Sequence, residues 1–202
     1  MKTKEERQRE IDIYIASRME PIFYDRTMET MKYFVANKEK ILQSLLFAIT
    51  KAGEAMKPFI DSGEKQKVKY LQFSYLFSAA KMKKLKLKLD LYDARHYGDL
   101  SSHGGYWSYD ELFPYIDEDM QILRDELASK SLRIDDYKVS EIRLEYHVGV
   151  FQMMWAILME LGDEEAFAAA LSDVFEPTVK VIFGAYLDQS EVVATIHRKE
   201  AS

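Results

Sequence analysis

One short stretch of the chain concentrates side chains that could bind a metal or move a proton. Two histidines and two aspartates occur there within eleven residues, at Asp93, His96, Asp99 and His103. Two imidazoles and two carboxylates are enough for a divalent metal or for an acid–base pair, and functional residues are common in loops. If this segment binds a metal, the expected ligands are His96, Asp99 and His103.

An organic ligand could contact aromatic and histidine side chains in or just after this stretch. Two further candidates, one histidine and one tryptophan, lie in a later apolar segment. Together the candidates are Tyr97, His103, Tyr106, Trp107, His147 and Trp155. His147 stands beside Glu145 at the start of the most apolar segment, where an imidazole could titrate near neutral pH or bind a ligand. The same residue types also build polar turns, hairpins and cores, so a structural interpretation competes with the functional one.

Several common chemistries are missing from the sequence. The chain contains no cysteine, which excludes disulfides, thiolate metal sites and cysteine nucleophiles. It also lacks a Walker-type phosphate loop, the G-x-G-x-x-G and G-x-S-x-G motifs and the H-E-x-x-H zinc helix. We therefore expect no cofactor and favour a non-enzymatic protein.

The apolar periodicity of most of the chain is that of helices. The clearest pattern begins after Asn37, where apolar residues recur at the spacing of one helix face: Ile41, Leu42, Leu45, Leu46 and Ile49. Similar spacing predicts helices over residues 68–82, 112–127 and 179–196. Pro21 is expected to break the first helix of the chain.

A different period appears between Lys84 and Tyr92, where leucine alternates with charged residues. Alternation places these leucines on one face of a strand, whereas a helix would scatter them around its circumference. The nearest partner strand is Gly104–Tyr109, which would close a β-hairpin. Residues 141–150 also alternate, but their apolar run continues too far for one strand, so a helix is preferred there.

These patterns predict a mostly α fold, a single-domain bundle of seven or eight helices over residues 1–202 with a β-hairpin-like insertion at residues 84–109. A chain of 202 residues with 48% hydrophobic residues can bury a core of that size. The most apolar segment, Val148–Leu161, is too short to cross a bilayer, which needs about 20 apolar residues. The charged N-terminus resembles no signal peptide, so a soluble, cytoplasmic protein without membrane contact is expected.

Charge is distributed unevenly along the chain. The formal net charge is −6, yet residues 65–88 carry eight lysines and no acidic residue. This basic segment could attract phosphate or an acidic partner. It contains no arginine and the chain as a whole is acidic, so nucleic acid is not the expected partner. A protein partner, a small molecule or a second copy of the chain in a homodimer is expected instead.

One segment is similar to a known family. Residues Met31–Leu46, MKYFVANKEKILQSLL, resemble the segment that follows the DNA-binding helices in TetR-type regulators, which are all-helical. Residues 1–30 lack the glycine- and threonine-marked helix-turn-helix of that family. No family is assigned from this resemblance, and a ligand-responsive regulator is the third functional interpretation.

The favoured function is a non-enzymatic helical domain that binds a small apolar ligand or a protein partner, with the aromatic loop beside the binding surface. The alternative is an enzyme or a metal-binding protein that uses the histidines and aspartates of residues 93–103.

Overall fold

A computed structural model of the chain describes residues 3–99, 103–130 and 134–198. The helices are α1 (Lys4–Asp61), α2 (Phe77–Met82), α3 (Ile116–Ser129), α4 (Asp136–Gly162) and α5 (Glu165–Ala170). The strands are β1 (Val68–Tyr75), β2 (Lys86–Tyr92), β3 (His103–Ser108), β4 (Phe175–Ala185) and β5 (Ser190–His197). Short 3-10 turns occupy His96–Gly98 and Asp110–Leu112. No helix in these ranges is both long and apolar enough to cross a membrane.

The strands form one five-stranded mixed sheet in the order β3-β2-β1-β4-β5. β1 lies at its centre, antiparallel to β2 and parallel to β4, with Leu71 opposite Leu91 on one side and Val181 on the other. The prediction of an all-α bundle of seven or eight helices is therefore wrong. The chain is a mixed α/β protein.

Three strands lie in segments that the sequence predicts to be helical: β1 and β4, which are the parallel pair of this sheet, and β5. In β1, Leu71 and Tyr75 fit helical spacing as well as they fit a strand, and the second half of β4, residues 181–185, is a continuous apolar run. Buried parallel strands often have such runs, and a run of this length does not distinguish a strand from a helix. The pairing of β1 with β4 joins distant segments of the chain, so the local sequence pattern could not show it, whereas β4 and β5 form a local antiparallel hairpin that the helical spacing of their apolar residues hid.

Other predictions from the sequence are confirmed. β2 pairs antiparallel with β3, with Lys88 opposite Tyr106, although this hairpin is the outer part of a larger sheet. Residues 141–150 lie within the helix α4. Leu45, in the clearest helical stripe, is fully buried.

The first helix differs from its prediction at Pro21. Helical structure continues through Pro21, and the interruption falls at Asn37, whose φ is −122° and ψ is 18°. A proline inside a helix removes one backbone hydrogen bond. Burial of Ile15, Thr30 and Phe34 on either side of it stabilises the continuous helix, because tertiary packing contributes most of the stability of helices in proteins.

The contacts of the chain divide it into two compact units. Unit 1 comprises Met1–Ala36 and Asp110–Val150, and unit 2 comprises Asn37–Tyr109 and Phe151–Ser202. Each unit is assembled from two separate stretches of sequence, and the whole sheet belongs to unit 2. A single domain over residues 1–202 stays a prediction.

Unit 1 contains a buried polar network around Asp119, which is 1% exposed. The Arg26 guanidinium donates to both carboxylate oxygens of Asp119, over 2.7 to 3.2 Å, and the Tyr146 hydroxyl donates to Oδ2 over 2.8 Å. Burial, with Asp119 alongside, raises the pKa of Tyr146 above its ordinary value. All these charges and hydroxyls are paired, which is the condition under which burial of an ion pair is tolerated.

In unit 2, one face of the sheet packs on helices. Trp107 of β3 donates from its indole Nε1 to Ser44 Oγ of α1 over 3.0 Å. Tyr75 of β1 stacks on Phe151 of α4 with ring centroids 4.1 Å apart. The hairpin leucines Leu87, Leu89 and Leu91 share that face and are fully buried.

The two adjacent glycines of β3 differ sharply in the space around them. A Cβ on Gly104 would lie 1.6 Å from the Leu89 carbonyl oxygen of the paired strand, whereas a Cβ on Gly105 would meet nothing within 4 Å. Because a backbone atom of a paired strand cannot turn aside, Gly104→Ala should destabilise the protein by about 1–3 kcal/mol. Gly105→Ala should cost less than about 0.5 kcal/mol. Urea unfolding of both variants tests this, and equal losses would contradict the close approach of β2 and β3.

Candidate functional site

The face of the sheet opposite the helices carries most of the polar side chains of β1 and β2. Strand register places these residues on it: Tyr70, Gln72 and Ser74 of β1, Lys86, Lys88, Asp90 and Tyr92 of β2, Tyr106 of β3 and Lys180 of β4. We call this surface, with Tyr97 and Tyr186 beside it, the tyrosine face. Gln72, Ser74 and Asp90 at its centre are no more than 2% exposed. Buried polar groups in a sheet need partners, so their contacts define the site.

The turn His96–Gly98 lies between two ion pairs, of which Lys65–Asp99 is fully buried and Arg95–Asp93 is partly exposed. Lys65, whose side chain is fully buried, forms an ion pair with Asp99 and donates to the Leu91 carbonyl over 2.9 Å. Asp93 accepts two hydrogen bonds from the Arg95 guanidinium, and the Asp93 amide donates to Asp99 Oδ2 over 3.1 Å. The Arg95 side chain holds the pKa of Asp93 below its usual range. These contacts fix the backbone that presents His96.

His96 has a left-handed backbone conformation, with φ of +52°. Such a conformation is uncommon for a residue other than glycine and costs about 1–3 kcal/mol, so the surrounding contacts must maintain it. Its ring lies among three tyrosines, with centroids 4.8 Å from Tyr70, 5.2 Å from Tyr92 and 4.1 Å from Tyr97. Burial lowers the pKa of His96, which favours the neutral imidazole near pH 7.

Gln72 connects this imidazole to the centre of the sheet. Its Oε1 lies 3.2 Å from His96 Nε2, and its Nε2 donates to the Tyr97 hydroxyl over 3.0 Å and to Ser74 Oγ over 3.1 Å. A neutral imidazole that carries its proton on Nε2 donates to the Gln72 carbonyl oxygen, which leaves Nδ1 as an acceptor. The amide of Gln72 thus fixes the positions of His96 and Tyr97.

Asp90, opposite Gln72 on β2, forms the second half of the buried polar centre. Its Oδ1 pairs with the Lys88 ammonium over 2.9 Å, and within the described residues its Oδ2 has no hydrogen-bond partner. The ammonium also lies 4.0 Å from the centre of the Tyr186 ring, a cation–π distance. Burial lowers the pKa of Lys88, but Asp90 and Tyr186 outweigh it and raise the pKa above the ordinary value. Lys88 is therefore charged at neutral pH.

Three partly exposed tyrosines surround this polar centre. Tyr97 is 42% exposed, Tyr106 59% and Tyr186 41%. Tyr97 contacts Gln72, Tyr106 is the cross-strand neighbour of Lys88, and Tyr186 lies under the Lys88 ammonium. The arrangement offers aromatic faces and hydroxyls around one charged amine, which suits recognition of an aromatic ligand.

The residues proposed from sequence for ligand binding are distributed over several places. Tyr97 and Tyr106 lie on the tyrosine face, whereas Trp107 lies on the opposite, helix-packed face and is 3% exposed. His147 belongs to unit 1, where its Nδ1 donates to the Arg143 carbonyl over 2.8 Å. Trp155 lies on α4 and is 38% exposed. The six-residue set is thus not one cluster.

The metal site proposed from His96, Asp99 and His103 gains no support. Asp99 is engaged by Lys65, and His96 contacts Gln72. Within residues 3–99, 103–130 and 134–198 no group of three or more histidine and carboxylate side chains could hold a metal ion. The backbone of His103 begins β3, and its side chain lies outside the described part of the structure.

The sequence pattern does not identify the central residues of the site, because it predicts a helix for their segment. Gln72 and Ser74 alternate with Leu71 and Phe73, which is the pattern of a strand with one polar face. Asp90 follows the lysines of β2 at the same alternating spacing but carries the opposite charge. This one acidic residue among lysines was the sequence feature that could have indicated a buried ion pair. Lys65 has no local signal, because its partner lies in a distant loop.

Comparison with protein-family models, with curated proteins and with solved structures finds no match to this chain. The geometry of the tyrosine face therefore carries the functional argument.

The two lysines on this face of β2 differ in their partners, although sequence alternation made them equivalent. Lys88→Glu removes the ion-pair partner of buried Asp90 and sets two carboxylates side by side, which should destabilise the protein by about 2–4 kcal/mol. Lys86→Glu changes a residue at the end of the strand and should cost less than about 0.5 kcal/mol. Chemical denaturation of both variants measures the difference, and a harmless Lys88→Glu would contradict the ion pair.

Proposed function

We propose that the chain is a non-enzymatic binding protein whose tyrosine face recognises a small ligand that combines an aromatic ring with phosphate, as in a nucleoside phosphate. The observation that carries the proposal is the placement of Tyr97, Tyr106 and Tyr186 around one buried polar centre. Tyrosine provides a large, rigid surface for stacking and a hydroxyl for hydrogen bonding.

The charge of this face favours an anionic ligand. Lys86 and Lys180 lie towards opposite ends of it, at the two ends of the strand pairing, and Arg95 is partly exposed on the adjoining turn. Among the described strand-paired positions on the face, Asp90 is the one carboxylate, and it is buried against Lys88. A phosphate approaching the tyrosines thus meets lysine and arginine side chains, and the exposed Asp188 lies in the turn that carries Tyr186.

A binding role fits the contacts of the His96–Gly98 turn better than a catalytic role does. An acid–base pair needs a carboxylate or another base beside the imidazole with room for a substrate proton. The Asp93 and Asp99 carboxylates are engaged by Arg95 and Lys65, and the imidazole of His96 is held on Gln72. These contacts support a rigid recognition surface. The cysteine-free sequence supports a reducing compartment such as the cytoplasm.

A mononucleotide and a single strand of nucleic acid share the chemistry of an aromatic base and a phosphate. The acidic net charge of the chain, −6, favours the small ligand, because it opposes a long polyanion. Stacking on tyrosine tolerates any base, so adenine nucleotides are suitable probes.

Isothermal titration with ATP tests the proposal, with adenosine, tripolyphosphate and an oligodeoxyadenylate as the comparison ligands. We expect saturable binding of ATP that is weakened about tenfold by Tyr106→Ala, since stacking contributes about 1–3 kcal/mol per base. The double charge reversal Lys86→Glu/Lys180→Glu should weaken ATP and tripolyphosphate binding but leave adenosine binding unchanged.

Matched controls are available elsewhere on the surface. Tyr137→Ala removes a tyrosine that is 77% exposed in unit 1, and Lys51→Glu reverses an exposed lysine of α1. Neither control should change the affinity for ATP. Tighter binding of the oligonucleotide than of ATP would indicate that the face recognises single-stranded nucleic acid. The absence of saturable binding at about 1 mM of ATP and oligonucleotide, or equal losses in the controls, would overturn the proposal.

A further inference from the structure

The outer side of α1 in unit 1 carries an apolar stripe. Tyr24 is 66% exposed, Met28 45% and Val35 71%, and Met31 between them is half-buried. The opposite side of the same helix buries Thr30 and Phe34 in unit 1. The stripe residues are not needed for the core of that unit, so their exposure requires another explanation.

The spacing of the stripe is that of a coiled-coil seam. Tyr24, Met28, Met31 and Val35 follow one another at intervals of four, three and four residues. This 3-4 repeat keeps apolar side chains on one line and fits a second helix laid along it. A globular helix that only packs on its own domain does not need such a repeat on its solvent side.

The charged residues beside the stripe indicate which partner fits it. Asp25 and Lys32 are exposed on the same flank of the stripe, two turns apart and with opposite sign. When a second copy of the helix lies antiparallel, Tyr24 meets Val35 of the other copy and Met28 meets Met31. The same register places each Asp25 beside the Lys32 of the other copy, so both charge pairs form at once.

We propose that α1 mediates self-association of the chain into a symmetric antiparallel dimer, with Tyr24, Met28, Met31 and Val35 at its centre and two reciprocal Asp25–Lys32 pairs at its edges. The partner is a second copy because the stripe is complementary to itself in apolar spacing and in charge. This interface lies in unit 1, and the proposal is independent of ligand binding by the tyrosine face of unit 2.

Sedimentation equilibrium of the full chain tests self-association. We expect a monomer–dimer equilibrium that Met28→Lys abolishes, because it places like charges at the centre of the seam. Asp25→Lys should weaken dimerisation about tenfold, since both edge pairs become repulsive. Asp25→Lys/Lys32→Asp should restore it. The far-UV circular dichroism of each variant should match that of the wild type, because the changed residues are exposed, whereas the Tm of Met28→Lys should no longer depend on protein concentration.

The absence of cysteine from the sequence allows a direct test of the antiparallel register. An oxidised mixture of Tyr24→Cys and Val35→Cys chains should give a disulfide-linked heterodimer. Either variant alone should cross-link poorly. In a dimer of one variant, the cysteines of the two copies lie about 16 Å apart along the seam, at a rise of 1.5 Å per residue. Cross-linking of each variant alone would indicate a parallel pair and overturn the register. A wild-type chain that stays monomeric at about 1 mM would overturn the proposal itself.

Discussion

A fully buried ion pair between Lys65 and Asp99 connects the chain just before β1 with the turn that follows β2. Removing both charges from water is costly, and such a pair survives only when further hydrogen bonds satisfy the ions. The Leu91 carbonyl and the Asp93 amide provide them. The position of this pair determines where the turn His96–Gly98 lies on the sheet, and hence where Tyr97 meets Gln72.

This attachment explains two costly features of the tyrosine face. His96 has a strained backbone conformation, and Gln72 and Asp90 are polar side chains in the middle of a sheet. Strain and buried polar groups of this kind persist where the surroundings over-determine them, and they concentrate at recognition sites. The opposite face of the same strands consists of leucine and aromatic residues packed on helices. One sheet therefore supplies stability from one side and, under the proposed function, recognition from the other.

The sequence predicted local structure better than it predicted topology. The leucine alternation of β2, its pairing with β3 and the helical nature of residues 141–150 depend on nearby residues, and they are confirmed. Helical spacing wrongly predicts helices for β1, β4 and β5. The pairing of β1 with β4 joins distant segments, and an apolar run in a buried strand resembles a buried helix even where, as in β4 and β5, the partner is local. The error also hid Gln72 and Ser74, whose polar alternation has meaning only in a strand. His96 and Tyr97 were found through their types, while the lysine that anchors their turn could be recognised only in three dimensions.

The preorganisation of the turn by Lys65 can be measured by amide hydrogen exchange in the wild type and in Lys65→Met. The His96, Gly98 and Asp99 amides donate to carbonyls within the turn, so their exchange reports its opening. We expect Lys65→Met to accelerate exchange at these amides at least about tenfold more than at Phe73 and Leu89 in the centre of the sheet, where only the loss of global stability from an unpaired Asp99 is felt. Unchanged exchange in the turn, or equal acceleration throughout the sheet, would contradict a turn held in place by the buried ion pair.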